Sequence, residues 1–187
     1  MLHKVEPDIL RTFEISGANN STRFRKKIID NLKPEEIADI IFDREDFNQK
    51  LKFLYEGLYS DHSHIWLKSL SNATSEHSWN ASRVFILILR DVLKEKCLID
   101  EKMGQQILKE FLSGKYQFPV FRRLVLYLIN FNWDKYSALS EKFLDVIRHP
   151  FDESDYEVEL YELFSDRGKQ FSQKLIERLD KLIQAGP

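Results

Sequence analysis

The sequence predicts an all-α fold of antiparallel helical hairpins stacked as a HEAT-like solenoid, and three observations predict it. Glycine and proline are scarce, six and five in 187 residues, and they sit mostly at punctuation points, so long uninterrupted helices follow. Apolar residues recur at helical spacing through most segments. New helix pairs start near Trp79, Pro119 and Tyr156, at intervals of about 40 residues, as in helical-hairpin repeats of the HEAT type. An irregular helical bundle would give a similar pattern and is the alternative.

The elements follow in chain order. Pro7 suits the first turn of a short helix to about Ser16, and Gly17-Ala18-Asn19-Asn20 is a turn. Ser21 caps a helix through Leu32 whose apolar side is Phe24, Ile28, Ile29 and Leu32. Pro34 restarts a helix at its N1 position, with Glu35 and Glu36 in the first turn and Ile37, Ile40, Ile41 and Phe42 on its apolar side. Asp43 caps the next, which carries Phe47, Leu51, Phe53 and Leu54 and ends near Gly57. From Tyr59 to His77 the one apolar piece is Ile65-Trp66-Leu67, and the polar loop Ser71-Asn72-Ala73-Thr74-Ser75 follows it. This loop separates an irregular N-terminal helical group, 1–75, from three hairpins within 76–187, all expected to form one continuous structural unit.

The first hairpin spans about 79–113. Its first helix carries Trp79, Val84, Phe85, Leu87, Ile88, Val92 and Leu93. The run from Val84 to Leu89 alone would suit a buried strand, but Arg83, Arg90, Asp91, Lys94 and Glu95 continue the helical spacing without a turn signal. Asp100 caps the second helix and Gly114 ends it. The second hairpin, 118–147, opens at Pro119 with a helix to Phe131 that is apolar nearly all round. Asp134 starts its partner, with Leu139, Phe143, Leu144 and Ile147 inward and His149-Pro150 as the stop. The third, 155–185, starts at Ser154 or Asp155 and carries Val158, Leu160, Tyr161 and Phe164. Ser165 or Asp166 precedes its last helix, where Phe171, Leu175, Ile176, Leu179, Leu182 and Ile183 follow a stripe. In each pair a very apolar helix precedes an amphipathic one, as a solenoid requires when inner helices lie between neighbours.

Composition narrows the function classes. With 28 Lys+Arg against 30 Asp+Glu, the whole-chain field selects neither nucleic acid nor anionic membrane. Cys97 is the single cysteine, which excludes an intrachain disulfide framework and a multi-cysteine zinc site and makes the cytoplasm the expected location. The N-terminus lacks the apolar core of a signal peptide, and no apolar run is long enough to span a bilayer. No membrane partner is expected, and the N-x-[ST] sequons at Asn19, Asn20, Asn72 and Asn80 are chance matches. Gly186-Pro187, directly after a helix, leads to the expectation of a boundary within a longer protein.

Few residues invite chemistry. Asp61, His62, His64 and His77 are the one cluster with metal-ligand types, yet His62 and His64 are two apart and face different ways on a helix, and no H-E-x-x-H frame holds them. Solvated loop histidines are the plainer reading, with a metal-assisted enzyme as a second alternative. Cys97 lies beside Lys94 and Lys96 but has no identifiable base or oxyanion site, so a buried packing cysteine is expected. Phosphate-binding and nucleophile-elbow glycine motifs are missing, and paired acids such as Glu35-Glu36 and Asp152-Glu153 fall at helix starts, where capping accounts for them. No catalytic residue, cofactor or metal ligand is therefore assigned.

Arg23, Arg25, Lys26 and Lys27, with Phe24 between them, form the best nucleic-acid candidate. Asp30, Glu35 and Glu36 follow closely, so the solvated side of an amphipathic helix is the plainer reading. Arg122-Arg123 interrupts an apolar helix, so one of them should snorkel or pair with an acid on the next helix. Among the aromatics between Tyr116 and Tyr136, most should be core. Trp133 and Tyr136, near a hairpin tip, are expected to be exposed and are the candidate partner-binding residues.

The stretch Phe118-Pro119-Val120-Phe121-Arg122-Arg123-Leu124-Val125-Leu126-Tyr127-Leu128-Ile129, with Trp133-Asp134-Lys135-Tyr136 after it, resembles an element in the α-helical repeat regions of large bacterial antiphage-defence proteins, behind their sirtuin-like or NTPase domains. The ending from Glu162-Leu163-Phe164-Ser165-Asp166 to Ile183-Gln184-Ala185-Gly186 is similar to another such element. The resemblance covers the C-terminal half and transfers no functional residue. It implies a scaffold or sensor module that binds a protein partner on behalf of a catalytic domain.

Overall fold

The structure, a computed structural model, describes residues 32–39, 41, 69–71, 81–113, 115–116, 118–146 and 156–185. Among them every regular element is helical and none is a strand, as the sequence predicts. The helices expected after Ser21 and Asp43, and the signals at Gly114, His149-Pro150, Ser154 and Asp155, lie outside the described residues.

The chain divides into two compact units, one of Met1–Leu67 with Asn72–Glu95 and the other of Lys68–Ser71 with Lys96–Pro187. In the first, residues 34–39 are helical with Pro34 at N1. The Lys33 amide donates to Glu36 Oε2 at 2.7 Å, the returning half of a capping box, while Ile37, Ala38 and Ile41 are buried. Helix α1 (Ala81–Ile99) runs from this unit into the second. Phe85 to Leu89 are buried at five successive positions, which no one-sided helix permits, so the run that alone suits a strand is helical and covered all round.

In the second unit, Asp100 caps α2 (Glu101–Phe111) by accepting from the Met103 amide at 3.0 Å. Phe111, Tyr116 and Phe121 meet with ring centroids 4.7–5.3 Å apart and join the end of α2 to the start of the next helix. Phe118 is extended, as a residue before proline prefers, and Pro119 opens α3 (Pro119–Phe131). Asn132 breaks the chain before α4 (Trp133–Tyr136), and α5 (Ala138–Val146) follows. The single helix expected from Asp134 is therefore two pieces. After α6 (Glu157–Arg167) and a 3-10 turn (Gly168–Gln170) comes α7 (Gln173–Ala185).

One helix boundary departs from the sequence reading. Ser165 and Asp166 do not precede the last helix; they lie inside α6, and Asp166 Oδ2 accepts from Asn130 Nδ2 at 2.8 Å instead of capping. The capping serine is Ser172, whose Oγ accepts from the Leu175 amide at 3.1 Å.

Side-chain bonds between helices fix how these helices line up. Arg123 pairs with Glu159, and Asn130 with Asp166, so two contacts seven residues apart on α3 keep the same offset of 36. A constant difference in residue number means parallel helices, whereas antiparallel ones keep a constant sum. Helix α3 also packs more extensively on α6 than on any other described helix. The same holds for α5 and α7, where Lys174 pairs with Glu141 and Arg178 with Asp145, the first pair 33 apart in sequence and the second in the same register.

Candidate interaction surface

Two polar clusters hold the second unit, and both turn inward. Arg123 donates from Nε to Glu159 Oε2 at 2.6 Å and from a terminal nitrogen to Oε1 at 2.8 Å, with side chains only 4% and 0% exposed. One arginine of the basic pair thus finds an acid, but on α6 and not on the next helix. Glu159 Oε1 also accepts from the Leu70 amide at 3.0 Å, and Glu162 takes the hydroxyls of Ser69 and Ser71 at 2.9 and 2.6 Å. Two acids three residues apart on one helix face thereby fasten the segment 69–71 to α6. At the far end of α3, Arg167 donates to the Asn130 carbonyl at 2.9 Å, a cation on the orphan carbonyls of a helix C-terminus.

The second cluster corrects the exposure expected of Trp133 and Tyr136. Both are buried, 8% and 1% exposed. Trp133 stacks on Phe171 with centroids 5.5 Å apart, and the Tyr136 hydroxyl donates to the Cys97 carbonyl at 2.9 Å. The break at Asn132 turns this short helix inward. Burial pushes the Cys97 thiol above its usual range, against smaller opposing effects of a Tyr136 hydrogen bond and the Lys135 charge. Burial likewise raises the Tyr136 phenol, reinforced by its hydrogen bond with Cys97. This is a packing site and not a nucleophile site. In the native protein Cys97 should resist a thiol-reactive chromophore and label fully once denaturant is added; rapid native labelling would contradict this burial.

Chemistry finds little to use. An apolar gap between α3, α5, α6 and α7 is lined by leucines and phenylalanines, with Ser140 as its one polar side chain. No group of three or more possible metal-ligating side chains occurs among the described residues. Asp61, His62, His64 and His77, and the basic residues Arg23, Arg25, Lys26 and Lys27, lie outside the described residues. No described helix is long and apolar enough to cross a membrane.

The exposed large apolar side chains among the described residues are Leu98 and Ile99 at the end of α1, Phe131 at the end of α3, and four on the last two helices. Tyr161 is 73% exposed and Ile183 59%, with Val158 and Ile176 also open to solvent. The sequence placed these residues correctly on helices but not on the outside. Only the side each helix turns to its predecessor distinguishes them from Leu160, Leu163, Leu175 and Leu179, which are buried. Comparison with protein-family models, with curated proteins and with solved structures finds no match.

Proposed function

We propose that this chain is a non-catalytic helical-repeat scaffold that binds a protein partner in the cytoplasm, as the repeat region of a larger bacterial defence protein whose effector lies elsewhere. The observation that carries the reading is the register: α3 runs parallel to α6 at an offset of 36, and α5 runs parallel to α7. First helix on first helix and second on second, displaced by 36 and 33 residues, is how HEAT-like hairpins stack; an irregular bundle has no reason to lay both helices of one pair parallel to those of the pair before. The defence assignment rests on the two sequence elements of the C-terminal half, and the non-catalytic one on the missing motifs together with the burial, among the described residues, of Cys97, Arg123 and Glu159.

Two measurements test it. Cysteines placed by Asn130→Cys and Asp166→Cys in a Cys97→Ala chain should crosslink with a short bifunctional thiol reagent, since Asn130 and Asp166 touch. Failure to crosslink removes the register. Affinity capture with chemical crosslinking should then recover a specific protein. Recovery of none, together with salt-dependent DNA binding that is lost on charge reversal of Arg25 and Lys26, would replace the scaffold by a nucleic-acid-binding domain.

A further inference from the structure

The register also tells which faces of α6 and α7 point back to the preceding hairpin, and so which point away. Glu159 and Asp166 reach back to α3. At about 100° per residue, Tyr161 lies about 200° round α6 from Glu159, and Glu157 about 160°. On α7, Lys174 and Arg178 reach back to α5. Ile176 and Ile183 lie about 140–200° round from both, and Asp180 falls beside them. Tyr161, Ile176 and Ile183 are therefore on the side away from the preceding hairpin, on both helices at once.

A terminal repeat that ends a stack presents a polar outer face. This one presents Tyr161, Ile183 and Ile176, the first two more than half exposed. Its charges are the exposed acids Glu157 and Asp180, and none of the outward positions 157, 161, 176, 180 and 183 is Lys or Arg. On the second helices the interface one step earlier has the same chemistry: on α5 the acids Glu141 and Asp145 face forward and receive Lys174 and Arg178, whereas between α3 and α6 the forward charge is Arg123.

We propose that the outer face of the α6–α7 hairpin takes a further helical hairpin with basic residues four apart on its facing helix, continuing the parallel stacking of α3 on α6 and α5 on α7. The proposal rests on the repeat reading above and names the surface and the partner chemistry for it. A second copy of this face fits poorly, because it would oppose acids to acids.

The probe is a lactam-stapled peptide of Gln173–Ala185, its helicity checked by circular dichroism, which carries Lys174 and Arg178 beside Leu175 and Leu179. Titrated against the full chain by fluorescence anisotropy, it should bind saturably and more weakly as salt rises. Tyr161→Asp, or Ile176→Asp with Ile183→Asp, should weaken binding at least tenfold while leaving the chain's melting temperature within a few degrees. Lys174→Glu with Arg178→Glu in the peptide should do the same. Because Tyr161 is on α6, its effect separates this face from displacement of α7 off α5. Equal binding to all variants, or none at millimolar peptide, overturns the proposal, as does self-association of the chain that Tyr161→Asp abolishes. If the Asn130→Cys and Asp166→Cys pair crosslinks while the peptide fails, the repeat reading stands and this surface does not.

Discussion

Glu159→Ala should be the most damaging single substitution in the second unit, costing about 3–5 kcal/mol in urea unfolding. The charge it strands is Arg123, whose side chain is 4% exposed and donates twice to this one carboxylate. The same change takes away the acceptor that the Leu70 amide uses. Arg123→Ala should cost less, because the carboxylate left behind keeps the Leu70 amide as a donor. Arg123→Met combined with Glu159→Leu should recover most of the loss, since a buried pair replaced by packed apolar groups is often near neutral. Closed with the single changes Arg123→Met and Glu159→Leu, the cycle should yield a large coupling between two residues that are 36 apart in sequence and in contact. A loss below about 1 kcal/mol for Glu159→Ala would mean that water reaches this pair and that it does not fasten α3 to α6.

This pair also shows where sequence reading stops. That at least one of Arg122 and Arg123 needed either an acid or a route to solvent was legible, because a charge inside an apolar helix has few alternatives. Which acid was not legible: Glu159 lies three helical elements on, and its choice depends on the parallel docking of α3 and α6, a tertiary fact with no local signature. Among the described residues the helices are legible in the sequence because periodicity, Pro119 at N1 and Asp100 at the cap are local. The boundary at Ser165 and Asp166 was misread because a short acid can cap its own helix or reach a neighbouring one, and Asn130 on α3 took Asp166. Tyr161 and Leu160 differ little in hydrophobic pattern, yet one is 73% exposed and the other buried. Only the direction of the preceding hairpin separates them.

Gly104→Ala raises a different question, because two effects of opposite sign meet at one position. In an exposed helix the change would stabilise by about 1 kcal/mol through helix propensity. Here the added Cβ would fall 2.3 Å from the Tyr136 hydroxyl oxygen, 3.0 Å from Cys97 Sγ and 3.1 Å from Tyr136 Cζ. That hydroxyl cannot swing aside cheaply, since the ring is 1% exposed and its proton is given to the Cys97 carbonyl. Overpacking should win, with a net loss of about 1–3 kcal/mol by thermal or urea unfolding. Tyr136→Phe alone should cost about 1 kcal/mol through the lost hydrogen bond. In that background Gly104→Ala should be distinctly milder, because the atom at 2.3 Å is gone while the contacts near 3.0 Å remain. Strict additivity of the two changes would show that α2 retreats from α4 as a rigid body; non-additivity would locate the restraint in the hydroxyl itself. In either case the glycine is kept for the approach of a buried tyrosine, the residue whose sequence position near a hairpin tip suggested an exposed anchor.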